Sequence, residues 1–402
     1  MILFNKHKKR NQMNTNYLDI CFRSLDWARN KNFKGYSKFD ALNSPILRFL
    51  AGNSRFLRSS YVFGISRLPI NIRPLLFVKK KQNPKGLALF ARSYFNLYQT
   101  TKNDSLKEHA LDLLEILLNL SEKDNHSGHC WGYDHPWQNI AFFIPPYEPN
   151  CVVTCAVAEA FLHAYHITNN SNHLDVCKSV ADFLLKDLNH IEVGSNMQCL
   201  SYDLHSSWKV INVNSFVSAF LAKLYNITKK TEYKIVSQAI MRWIISQKTD
   251  YNAWYYSDPP EASRITHDNY HTGFVLDSIQ EYLEVFSDID IEQTWRNGLT
   301  YYKSNLFNDD FSPKWMYNQK YPNDIHGATQ GIITFAKASV VDPEYLNFSK
   351  KILYWTITNL YESKKSRFYY QKGRIWKKKY TLMRWSQAWM CYAMSVFIKA
   401  EK

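Results

Sequence analysis

Two kinds of helical stretch alternate along the chain. Cys151 to Tyr165, Ser215 to Tyr225, Phe274 to Phe286 and Ala388 to Ile398 are apolar nearly all round, so each needs burial on every side. The other kind is two-faced: in Leu174 to Leu188, Cys177, Val180, Ala181, Leu184 and Leu188 form one stripe at helical spacing, with Lys178, Asp182 and Lys186 elsewhere. The pattern predicts buried helices near 84–99, 150–166, 214–226, 270–286, 327–339 and 385–399. Surface helices are expected near 16–30, 105–121, 172–188, 231–247, 290–306 and 344–361. Polar turns such as Asn169-Asn170-Ser171, Thr228-Lys229-Lys230 and Ser287-Asp288 separate the two kinds.

A short motif returns before the apolar helices, with an apolar residue, any residue, a tyrosine and a small polar residue. It reads Trp131-Gly132-Tyr133-Asp134, Leu200-Ser201-Tyr202-Asp203, Trp254-Tyr255-Tyr256-Ser257, Trp315-Met316-Tyr317-Asn318 and Phe368-Tyr369-Tyr370-Gln371. Recurrence at roughly 50 to 70 residues means one supersecondary unit used several times. Six inner and six outer helices in alternation describe an all-α (α/α)6 toroid over residues 1–402, with short irregular or β-hairpin loops at the mouth of a central funnel. A closed ring needs no terminal caps. Residues 36–83, with Pro45, Pro69 and Pro74, form a long connection expected to pack across one end.

Hydrophobic residues make up 46% of the 402, enough for a large core, and no run suggests a membrane span. The start, Met1-Ile2-Leu3-Phe4 followed by Lys6-His7-Lys8-Lys9-Arg10, has no apolar h-region and does not read as a secretory signal. Seven cysteines, several inside apolar helices, read as buried reduced thiols and favour the cytoplasm. The net charge of +15 suits nucleic acid, anionic lipid or an acidic glycan. No nucleic-acid-binding signature is present, and a uronic-acid-containing polymer fits the charge.

Aromatic residues are 16% of the chain, with 12 Trp and 27 Tyr, many of them in the loops. Such rings pack on the C–H face of a pyranose while their polar edges reach its hydroxyls. Trp131, Tyr133, Trp137 and Tyr256 are therefore candidate sugar contacts, although some of the motif tyrosines are expected to close their own loops as a structural ladder. Sharper signals break the repeat: His267-Asp268-Asn269-Tyr270-His271-Thr272-Gly273, His326-Gly327-Ala328-Thr329-Gln330-Gly331 and Arg384-Trp385-Ser386-Gln387. Imidazoles at helix starts beside carboxylates can move protons near neutral pH. Gly273, Gly327 and Gly331 would let a ligand approach. Asp134, Asp203, Asp258, Asp268 and Asp324 lie in the loops, and two carboxyl groups suffice for glycoside cleavage. The aromatic cluster around Asp134 is expected to raise its pKa.

Phosphate loops, dinucleotide fingerprints, nucleophile elbows and zinc spacings are all missing, so no cofactor or metal is expected. The segments around Trp131, His267, His326 and Arg384 together resemble VpsJ-type bacterial polysaccharide-biosynthesis proteins. More widely the chain is similar to six-hairpin carbohydrate enzymes, among them unsaturated glucuronyl hydrolases and sugar 2-epimerases. The resemblance implies surface-polysaccharide assembly without settling the reaction. The expected function is acid/base chemistry on a sugar or oligosaccharide intermediate, either epimerisation or isomerisation, or cleavage of a glycosidic bond. A non-catalytic glycan-binding subunit is the alternative. Asp134, Asp268, His271 and His326 are the catalytic candidates; His267, Asn269, Tyr270, Gln330, Arg384, Trp385 and Gln387 are the further binding candidates.

Overall fold

The computed structural model describes residues 17–138 and 143–402. Helix α1 (17–29) precedes two short helices, α2 (Pro45–Ala51) and α3 (Arg55–Arg67). Inner and outer helices then alternate: α4 (Pro84–Thr101) and α5 (Asp104–Asn119), α6 (Cys151–Thr168) and α7 (Ser171–Lys186), α8 (Ile211–Thr228) and α9 (Thr231–Ser246). The second half continues with α10 (Asn269–Leu283) and α11 (Ile289–Asn305), α12 (Ile325–Ala338) and α13 (Glu344–Leu360), and ends in α14 (Trp389–Ala400). Each inner helix packs on the next, and α14 returns to α4. α1 closes the sixth hairpin against α14, with Cys21 Sγ 3.7 Å from the Cys391 carbonyl and Tyr17 edge-on to Phe397. The (α/α)6 toroid expected from the pattern is the observed fold.

The hairpins share local chemistry. Asn83 and Asn150 cap α4 and α6 by accepting backbone N–H groups of Gly86 and Val153, donors that a helix cannot satisfy itself. α4, α6 and α8 stop at left-handed Lys102, Asn169 and Lys229, whose N–H groups bond the carbonyls of Tyr98, Tyr165 and Tyr225. The recurring loop motif has a backbone job. The carbonyls of Tyr202, Tyr256 and Tyr370 accept the first N–H of α6, α8 and α12, from Cys151, Ile211 and Ile325, at 3.0 to 3.2 Å. At α10 the acceptor is the Trp315 carbonyl, two residues earlier, and Tyr317 is left 46% exposed. Short β-pairs fasten adjoining loops, with Val210 opposite Ser257 and Gln371 between Asp324 and Lys378.

Residues 36–83 are not a plain connection, because α2 and α3 lie within them and bury a small core of their own around Leu42, Leu47, Val62 and Ile65. This cover is fastened across the inner-helix N-termini. Buried Arg73 donates to Asp40 at 2.6 Å and to the carbonyls of Ser37 and Lys38 at 3.1 Å, and Met383 N bonds Tyr36 O at 3.0 Å. Against the expectation that no stretch resembles a span, α6 has the length and apolarity to cross a membrane, although 61% of it is buried inside the protein as a ring helix. The basic N-terminal stretch at 6–10 lies outside the described residues.

Removing one partner from a fully buried ion pair strands the other. Arg73→Ala should therefore lower stability by about 3–5 kcal/mol. Replacing Arg73 and Asp40 together by leucine should cost less than that single change. Urea unfolding of the two proteins decides it, and equal losses would mean that the pair is not what fastens the cover.

Candidate active site

Six inner helices present their N-termini to one face, where their orphan N–H groups and partial positive charge favour acidic and amide side chains. Asp324 Oδ1 accepts the His326 N–H at 3.0 Å and the Trp385 indole N–H at 2.7 Å. Its Oδ2 takes the Gln371 amide at 3.2 Å and Lys38 at 3.7 Å. Asp134, 1% exposed, is bonded by the Asn83 amide and lies 3.1 Å from His135 Nδ1. Burial alone would push its carboxyl up, but His135, Asn83 and nearby Arg384 outweigh this and hold it below the ordinary carboxylate value. The expected rise does not occur, and Asp134 is a fixed anion.

The imidazoles differ from one another. His271 Nδ1 lies 2.9 Å from Asp268 Oδ1, and its ring packs on Tyr256 and Tyr270. His326 stacks on the other contact of Tyr270, with ring centroids 4.6 Å apart and planes 6° from parallel. Trp385 meets it edge-on at 4.3 Å and Trp389 lies at 4.7 Å. Neither nitrogen of His326 finds a protein partner. Burial, with Lys85, Arg384 and Lys38 nearby, pushes the imidazole well below its ordinary pKa, so it stays neutral. Asp268 Oδ2 and Arg384 Nε are likewise buried without partners. A π-helical turn, Met383–Ala388, presents Arg384 and Trp385, a form common at functional positions. Arg384 lies over Tyr133 at 5.1 Å, and Trp137 joins Tyr133 to Phe39 of the cover.

The cover fills the mouth. Lys38 reaches in, with Nζ 3.9 Å from the centre of Trp385 and within 6 Å of Trp315, Phe39 and Tyr370. Below the aromatic layer an axial cavity of about 70 Å³ remains, room for several water molecules. Lys85 looks into it, held by Phe216, Phe274 and Trp389, with no carboxylate ion pair among the described residues. Burial, then Arg384, pushes its amine down to about 7. Lower down, Glu281 accepts Lys223 at 2.8 Å and Lys337 at 2.6 Å, and Lys223 also pairs with Glu159. Burial pushes the Asp277 carboxyl up against the opposing pull of Lys337, and its Oδ1 has no partner.

Solved structures share this ring. Cellobiose 2-epimerase from Bacillus thermoamylovorans matches with a TM-score of 0.61 over 78% of this chain and 87% of its own, at 12% identity. D-mannose isomerase matches at 0.59 over 79% and 87%, at 9% identity, and unsaturated glucuronyl hydrolase specific for heparin at 0.57 over 81% and 88%, at 12%. The fold is that of the six-hairpin sugar enzymes. No protein-family model and no curated protein matches the sequence.

Within this six-hairpin ring several expected contacts are structural. Trp131 is wholly buried, with its indole bonded to Leu117 O at 2.7 Å. His267 spends both nitrogens, on Trp254 O at 2.9 Å and Tyr251 OH at 2.7 Å. Asn269 bridges Leu306 O and Tyr302 OH, and Gln387 ties Phe368 N to Ser24 O and Ser366 O. The glycines serve helix packing: a Cβ on Gly273 would meet Gln330 Cγ at 2.4 Å, and one on Gly331 would meet Phe307 at 2.4 Å. Brought together are Tyr133, Tyr256, Tyr270, Asp268, His271, His326, Arg384 and Trp385, while Gln330 lines the cavity through its bond to Asp277 at 3.0 Å. Sequence reading missed Lys85 and Asp277. The available signal was charge in helices otherwise apolar: Lys85 and Arg92 seven residues apart in α4, Glu159 in α6, Asp277 and Glu281 in α10, Lys337 in α12.

Lys85 makes stability depend on pH. In the folded protein its amine loses the proton near 7, in the unfolded chain near 10.5. Between those values the unfolded state binds more protons, so stability rises with pH, and below 7 the folded state bears the full cost. Lys85→Met should raise stability at pH 6 by an amount on the order of a few kcal/mol and change it little near pH 10.5. Denaturant midpoints at the two pH values read this; a difference independent of pH would mean that the amine keeps an ordinary pKa.

Proposed function

We propose that the chain is a sugar epimerase or isomerase that exchanges a carbon-bound proton beside a carbonyl. One observation carries the reading: two imidazoles, one bonded to a carboxylate and one without a partner, on neighbouring inner helices, flank the same tyrosine ring. Such a reaction needs a base for the proton, a donor to return it, and an electrophile for the enediolate between them. His271, aligned by Asp268, has the orienting partner that a base requires. His326, neutral and unpartnered, carries one N–H and one lone pair to offer a sugar. Arg384, with a free Nε, supplies charge for the enediolate oxygen, and Tyr133, Tyr256 and Trp385 supply ring faces.

Glycosidic cleavage has weaker support, because four of the five loop carboxylates that suggested it are engaged, and the fifth, Asp268, keeps a free Oδ2 but is spent on aligning His271. Asp203 accepts the N–H groups of His205 and Ser206, Asp258 pairs with Lys209, and Asp134 and Asp324 are bonded as described. Asp277, with its raised pKa on the cavity wall, is the observation that favours it. We place the reaction in the cytoplasm, among precursors of a surface polysaccharide, as the VpsJ-type resemblance implies. Seven free, buried cysteines support a reducing compartment.

Incubation with reducing sugars in D2O tests the chemistry. Deuterium should enter the carbon next to the carbonyl, and His271→Gln should cut that rate by a factor on the order of 10² or more with the melting temperature near the parent's. His326→Gln should act similarly. Sugar binding without deuterium entry, across aldoses and uronic acids, would leave a glycan-binding protein in place of an enzyme.

A further inference from the structure

The cover carries a second surface that the ring does not use. While Leu47, Ala51, Val62 and Ile65 face inward, Phe49 is 85% exposed, Leu75 78%, Phe56 77%, Ile70 68% and Phe77 66%. Phe77 also holds a left-handed φ of 54°, a costly conformation for a bulky residue. Two neighbours extend the surface. Arg58 lies over the ring of exposed Phe143 at 4.3 Å. The loop bearing Ile375 and Trp376, 83% and 72% exposed, is tied to the end of α3: Lys378 donates to Ser66 O at 3.0 Å and Tyr380 to Leu68 O at 3.4 Å. Among the described residues, every strongly exposed phenylalanine or tryptophan belongs to these elements.

The charge is one-sided too. Neither 41–103 nor 363–400 contains an aspartate or glutamate. Exposed Arg48, Arg55, Arg67, Lys79, Lys80 and Arg374 stand among the apolar side chains. Exposed patches of this kind mark interaction sites, and the mixture selects the partner. A soluble polyanion would use the cations and leave the phenylalanines in water. An anionic bilayer uses both, taking the rings below its headgroups and the cations at its phosphates.

We propose that this outer face of the cover is a peripheral membrane-binding surface for anionic phospholipid. Docked there, the protein turns the funnel mouth towards the bilayer, where a sugar attached to lipid would be presented. The surface does not depend on the epimerase reading: binding is measured without turnover, so either can fail alone.

Sedimentation of the full chain with vesicles tests it. The protein should pellet with vesicles containing phosphatidylglycerol and far less with phosphatidylcholine alone, and added salt should weaken the attraction. Phe49→Ser, Phe56→Ser and Trp376→Ser combined should weaken vesicle binding tenfold or more and leave retention on heparin unchanged. Arg48→Gln, Arg55→Gln and Lys79→Gln combined should weaken both. No pelleting with the anionic vesicles, or vesicle binding indifferent to the apolar changes, would overturn the proposal, as would self-association through Phe49 and Phe56 without lipid. If the variants fail to fold, hydrogen exchange of the unaltered protein reads the same face. Vesicles should then protect 45–80 and 373–379, and protection elsewhere alone would overturn it.

Discussion

Everything at the candidate site follows from bringing six helix N-termini to one face. Each end leaves unsatisfied N–H groups and a partial positive charge, and the ring gathers these where backbone cannot answer them all. Loop carbonyls answer at α6, α8, α10 and α12, and Asn83, Asn150 and Asp324 answer with side chains. The same field suits ionised Asp134 and disfavours cations. Lys38 and Lys85, both pushed down by burial, are the groups that bear this cost.

The cover turns that polar face into a dry one. Arg73 holds Asp40 and two neighbouring carbonyls, so Lys38 and Phe39 are delivered among Trp385, Trp315 and Trp137. Exclusion of water by these rings is what keeps His326 neutral and strengthens every remaining electrostatic contact. The aromatic faces around Lys38 are of the kind on which a sugar ring stacks. Outer and inner sides of the cover are therefore coupled physically, since the segment that carries the exposed phenylalanines is the one that holds Lys38.

The ring was legible in the sequence because inner and outer helices differ in how many faces they bury, and that difference survives in the hydrophobic pattern. The recurring tyrosine motif was legible as a repeat, but its main task was not: the backbone carbonyls of Tyr202, Tyr256 and Tyr370 do the capping, and a carbonyl has no letter in the sequence. Tyr317 carried the motif and missed the position by two residues. His271, His326 and Arg384 stood out as departures from the repeat and do lie together. His267, Asn269 and Gln387 departed equally and are spent on structural contacts to loops and neighbouring helices, a distinction that only hydrogen-bond partners reveal. Lys85 did not stand out because a single lysine letter does not show that the start of an apolar inner helix removes it from bulk solvent.

Unpartnered polar atoms complete the case for a site at this end of the ring. A buried donor or acceptor without a partner costs about 1–3 kcal/mol, and most folded proteins avoid such atoms. Several of those present are scattered singly on outer helices, as with Trp243 and Trp295. Others gather around the axis: both nitrogens of His326, Asp268 Oδ2, Arg384 Nε, Asp277 Oδ1 and Gln330 Oε1. These atoms face the axial cavity or the rings above it. A ligand rich in hydroxyls, with an acceptor for Arg384 and donors for Asp268 and Asp277, can satisfy them together. Polar groups left open in this way are what binding and orienting a hydroxyl-rich ligand would use.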